Sequence, residues 1–214
     1  MNNLKGANLK PHQLQRHLAQ LRGWRETAFI MALAERAYPN FALFSQVSEF
    51  SGEEAVSSCL KRSWTALLEK APEDRYVELL DTLEENVPDP EEYDSYGAMS
   101  ALSFCETLEQ ALLSQVNIDK RRAVDAGQNA FDSVMAFVEM TEGEGLSDDD
   151  LVRVFNKNPL IKRERRFQEE LVERLRKETA PDTHFIAGLR SLAYDGGVSN
   201  IGISLNDDSI ESNE

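Results

Sequence analysis

The chain has 214 residues, 38 acidic against 23 basic side chains, a formal net charge of −15 and 41% hydrophobic content. At about 100–200 residues per domain it is expected to form one domain, long enough to bury a core without disulfides or a structural metal. The charge excludes a binder that meets nucleic acid or an anionic membrane with its whole surface, although it leaves local basic patches open.

Hydrophobic residues recur with helical period from one end to the other. Leu14, Leu18 and Leu21 make a first stripe after Pro11. Trp24 to Tyr38 is Ala-, Leu- and Met-rich and nearly apolar all round, the pattern of a buried central helix. Pro39 is expected to stop it, with Phe41, Phe44 and Val47 in a short segment beyond. Glu53 to Lys70 puts Val56, Leu60, Trp64 and Leu67 on one face, and Asp74 to Val87 does the same with Tyr76, Leu79, Leu80 and Leu83. The longest clean stripe runs from Tyr96 through Met99, Leu102, Cys105, Leu108 and Leu112 to Val116. Val124, Phe131, Val134 and Val138 mark the next helix. Ser147 with Asp150 three residues on reads as a helix start, and Asn158-Pro159 as an N-cap with proline at the first helical position. A last helix opens at Pro181, carries Phe185, Ile186, Leu189 and Leu192, and ends at Gly196-Gly197. No long stretch alternates with period two. The expected fold is therefore all-α: a single-domain bundle of roughly eight helices over residues 1–205, a short extended C-terminal arm, and an acidic disordered tail at 206–214.

The longest uninterrupted apolar run, Ala28 to Ala34, is far short of the ~20 residues a bilayer span needs, so no membrane partner is expected and the location reads as cytoplasmic. Cys59 and Cys105 sit within apolar helical stripes, which suits buried thiols. His12 and His17, five apart, fall on different sides of a helix, and no Glu-x-x-His pair, Walker loop or EF-hand order is present. Metal and cofactor are accordingly both read as none. Gly197 to Gly202 resembles a nucleophile elbow only in passing, since Ile201 stands where that motif needs glycine.

Two segments carry polar groups in unusual company. Glu35-Arg36-Ala37-Tyr38-Pro39-Asn40 sets an acid, a guanidinium, a phenol and an amide around the proline of the most buried helix. Gly188-Leu189-Arg190 is followed by Ser199-Asn200-Ile201-Gly202-Ile203. Glu35, Arg36, Tyr38, Asn40, Arg190, Ser199 and Asn200 are the candidate ligand-binding residues. The leading reading is a non-catalytic module for a protein partner or a small ligand, with homo-oligomerisation left open. One alternative is an enzyme using Glu35 as acid/base, with Arg36, Tyr38 and Arg190 orienting; it requires Glu35 to line a cleft within reach of Arg190. The other, least favoured, is nucleic-acid association through the basic run Lys162, Arg163, Arg165 and Arg166, which lacks interleaved aromatics for base stacking.

These two segments, together with Trp64 and Tyr96-Gly97, resemble the YjaG-like family of bacterial proteins, a domain of unknown function. The resemblance covers roughly residues 14–205. It implies a compact all-helical bacterial cytoplasmic protein and brings no catalytic residues with it.

Overall fold

The computed structural model describes residues 11–89, 91–93 and 95–204; the expected acidic tail at 206–214 lies outside them. Among the described residues there are nine α-helices: α1 (Pro11–Leu18), α2 (Trp24–Val47), α3 (Glu53–Glu69), α4 (Glu73–Glu84), α5 (Tyr96–Leu113), α6 (Arg122–Glu142), α7 (Asp148–Lys157), α8 (Pro159–Lys177) and α9 (Thr183–Tyr194). A 3₁₀ turn at Asp195–Gly197 and an isolated antiparallel bridge between Val198 and Ser204 follow. The all-α expectation holds.

The capping signals work as their chemistry requires. Ser147 accepts a hydrogen bond from the Asp150 amide, Asn158 from Leu160 ahead of Pro159 at the first helical position, and Asp182 from Phe185. Each satisfies a donor that the first turn of a helix leaves without an intrahelical partner.

α2 is the axis of the molecule. Every residue from Glu26 to Ala34 is buried, and the helix packs along α5 and against α3, α6, α8 and α9. Pro39 does not end it: the helix runs on to Val47 with Pro39 inside. A proline in a helix interior costs about 3 kcal/mol through a lost hydrogen bond and a ring clash. Continuing the helix carries Phe41 and Phe44 into an aromatic cluster, with Phe41 5.1 Å from Phe104 and Phe44 5.2 Å from Tyr93 between ring centroids. Burying two phenylalanines contributes about 1.5–3 kcal/mol each, which offsets the proline. Local propensity therefore yields to packing.

The end of α9 also differs from expectation. Asp195, not a glycine, takes the left-handed conformation at φ 45°, and Gly196 and Gly197 continue at φ 70° and 85°. This turn aims the Asp195 carboxylate back at α8 and α2, where Arg163 and Arg36 donate to it. The stretch beyond closes on itself. The Ser199 amide donates to the Ile203 carbonyl at 2.8 Å, the Ile203 amide to Ser199 Oγ at 3.1 Å, and Gly202 supplies φ 88° at the bend. Ile201 is buried there, against a small cluster of Val134, Val138 and Ile161.

Candidate functional site

The seven candidate residues fall into separate places. Glu35 and Arg190 do meet: Arg190 Nη2 donates to Glu35 Oε1 at 3.1 Å, and the Trp64 indole N–H donates to Oε2 at 2.7 Å. The Arg190 guanidinium also lies 5.8 Å from the Trp64 ring centroid. This carboxylate thus joins α2, α3 and α9. Tyr38 turns elsewhere, donating to Glu53 at 2.6 Å and packing edge-on to Phe104. Burial, helped by Glu53, pushes its phenol up to about 12.

Arg36 is 2% exposed and pairs with Glu164, which is fully buried, at 3.2 Å. It also lies over the Phe167 ring at 4.4 Å and reaches Asp195 at 3.3 Å. Gln168 continues the chain of contacts, donating to Glu164 at 2.9 Å and to the Gly127 carbonyl at 2.9 Å. Burial pushes the Glu164 carboxyl up, while Arg36, Gln168 and Arg163 pull it back. Glu164 is a functional-looking group that the basic run around it obscured. Its position on the apolar stripe between Ile161 and Phe167 is the signal that marks it.

The basic run is partly consumed in the same region. Arg163 holds Asp195 and the Val198 carbonyl, Lys162 the Lys157 carbonyl, and Arg165 lies 5.5 Å from the Phe131 ring centroid. That use leaves fewer free cations for a phosphate backbone than the sequence suggests.

Asn40 and Asn200 form the remaining pair. Asn40 Nδ2 donates to Asn200 Oδ1 at 2.8 Å, and both side chains are buried. Asn40 lines a cleft of about 250 Å³. One wall is α2, through Leu43, Phe44 and Val47; the facing wall is the start of α5, through Ser95, Tyr96, Gly97 and Ser100. Phe137 of α6 and Ile201 and Ile203 of the C-terminal loop close the ends. None of the lining side chains is charged. Asn40 Oδ1 is buried without a hydrogen-bond partner. Tyr96 donates to the Ser133 carbonyl, and burial raises its pKa, so it stays protonated at neutral pH. Ser95 Oγ is engaged as the N-cap of α5.

Two further clefts differ in character. One, between α1, α6 and α8, brings Arg165, Gln168 and Glu169 to its polar end. The other is a shallow recess between α2 and α3 at Ser45, Gln46 and Glu53. Glu35 lines none of the three. Among the described residues no cluster of three or more His, Cys, Asp or Glu side chains is arranged to hold a metal, and no helix is long and apolar enough to cross a membrane.

The geometry can be set beside known proteins. The family model described as "Protein of unknown function (DUF416)" matches residues 13–204. The chain belongs to this family. Within DUF416 it is 30% identical over 188 residues to the uncharacterised protein YjaG of Escherichia coli K12, covering 87% of this chain and 93% of that one. An uncharacterised protein of Haemophilus influenzae is 29% identical over 194 residues, covering 89% and 96%. The crystal structure of a DUF416 family protein from Shewanella baltica OS155 superposes with a TM-score of 0.79 at 26% identity, covering 89% of this chain and 97% of that one. The resemblance read from the two end segments is confirmed, and the relatives are bacterial. The family is of unknown function.

Proposed function

We propose that this DUF416 protein is a non-catalytic binding module whose site is the cleft between α2, α5 and the C-terminal loop. The observation that carries the reading is the contrast between that cleft and the charged candidates. Glu35 and Arg36 spend their charges on partners inside the protein, whereas the cleft is apolar, uncharged and open. Binding pockets are typically apolar with a few placed polar groups. Acid–base catalysis would need a titrating group at the pocket, and the phenol there is held protonated.

On this reading Asn40 meets the ligand, while Asn200 and Ser199 hold the loop that forms one wall. Glu35, Arg36, Tyr38 and Arg190 keep the helices in place. Residues 1–205 act as one domain, and the partner is a small molecule rather than a second protein or nucleic acid.

Gly97 offers a clean test. It stands in the first turn of α5 on the cleft, and a Cβ added there meets only Ser95 Oγ at 3.7 Å and Phe44 Cδ2 at 4.0 Å. The backbone thus has room for a Cβ, and Gly97→Leu is expected to extend from it and plug the cleft. Saturation-transfer NMR of the full chain with neutral single-ring compounds should show binding that Gly97→Leu abolishes at unchanged melting temperature. Equal binding by both proteins, or none by the wild type, contradicts the proposal.

A further inference from the structure

We infer that the cleft between α1, α6 and α8 is a further binding site, independent of the one proposed above, and that it takes a small amphipathic carboxylate whose acid group pairs with Arg165.

The body of such a ligand follows from the walls. Leu14 and Leu18 of α1 and Val124, Phe131 and Met135 of α6 line a space of about 250 Å³. An apolar cavity of about 150 Å³ holds benzene, and drug-sized ligands occupy about 300–1,000 Å³. A single ring or a short alkyl chain carrying an acid group lies between these limits.

The acid follows from Arg165. Its guanidinium carbon lies 5.5 Å from the ring centroid of Phe131, itself a wall of the cleft, so the charge stands over that wall. Other cations of α8 are occupied: Arg163 holds Asp195, Arg174 holds Glu170 and Lys177 holds Glu173. Arg165 makes no hydrogen bond or ion pair among the described residues, and the Phe131 contact leaves its N–H groups without a protein acceptor. A carboxylate takes two such donors in a fork. Arg165 is also exposed, so a ligand reaches it from solvent. The acid that shares the cleft, Glu169, is only 6% exposed and has its own engagement within the protein. The charge that an incoming ligand meets is therefore positive.

The test is a methyl NMR titration of the full-length protein with hydrocinnamate, a phenyl ring on two methylenes and a carboxylate, and with hydrocinnamamide, its neutral isostere. Hydrocinnamate should shift Leu14, Leu18 and Val124. Arg165→Gln should weaken this binding about tenfold at unchanged melting temperature, because the exposed guanidinium contacts only the Phe131 ring. Hydrocinnamamide should bind at this cleft about tenfold less tightly than the acid. Equal binding of acid and amide at these methyls, equal binding of the acid by Arg165→Gln, or no shift there overturns the inference. The other cleft is read separately through Leu43, Val47, Ile201 and Ile203, so its standing does not depend on these outcomes.

Discussion

Asn40 and Asn200, 160 residues apart, are joined by a 2.8 Å hydrogen bond that fastens the C-terminal loop to the last third of α2. The bond connects the two segments of the sequence richest in unusual polar residues. It does so beside the cleft that Asn40 lines. The charged side chains of the same segments are also engaged, Glu35 with Arg190 and Arg36 with Glu164 of α8.

The Arg36–Glu164 pair should behave as a buried ion pair. Glu164→Leu alone leaves a nearly inaccessible guanidinium with only the exposed Asp195 carboxylate opposite, and should cost about 3–5 kcal/mol in urea unfolding. Adding Arg36→Met to that variant should recover most of the loss, because an apolar pair needs no desolvation of charge. Additive losses in the double variant would show that the two side chains stabilise the fold independently.

Glu35 is expected to matter for stability and not for ligand binding. Glu35→Ala removes the acceptor of the buried Trp64 indole N–H and should cost about 1–3 kcal/mol. Glu35→Gln keeps an acceptor for Trp64 and should cost less. Loss of binding of neutral single-ring compounds by the well-folded Glu35→Gln protein would return Glu35 to the site.

Glu26 should make stability fall with rising pH. Burial raises its carboxyl above the ordinary 4.5, with Arg22 and Arg122 only partly opposing. An acid whose folded pKa is raised binds its proton more tightly when folded. Its contribution is therefore most favourable below 4.5 and declines as pH climbs through the raised value. Glu26→Gln should raise the melting temperature at pH 7 and lose that advantage in acid. A substitution effect independent of pH would contradict this.

Cys59 and Cys105 are free and buried, and burial pushes their thiols up to about 11 and about 12. Native protein should react negligibly with a thiol reagent at pH 8, and denatured protein should release both thiols. Rapid reaction of either in the folded state would place it at an opening the structure does not have.

Much of the architecture was legible because helical periodicity and capping are local. Ser147, Asn158 and the stripes of α3 to α5 each carry their own signal within a few residues. Pro39 was misleading for the same reason: the local rule says stop, and the reward for continuing comes from Phe104 and Tyr93, far along the chain. At the end of α9, adjacent glycines hid the fact that Asp195 takes the left-handed turn, since Arg36 and Arg163 hold it there. The proposed cleft was less legible. Asn40 and Asn200 stand out as polar groups in apolar company, but the cleft is assembled from α2, α5, α6 and the loop. No periodicity in one segment announces a space between four.

The most direct measurement is a methyl NMR titration of the full-length protein with phenol. Shifts are expected to centre on Leu43, Val47, Ile201 and Ile203, the methyl-bearing walls of the cleft. Shifts centred instead on Leu14, Leu18 and Val124, which line the separate cleft under α1, or no shifts at all, would contradict the proposed site.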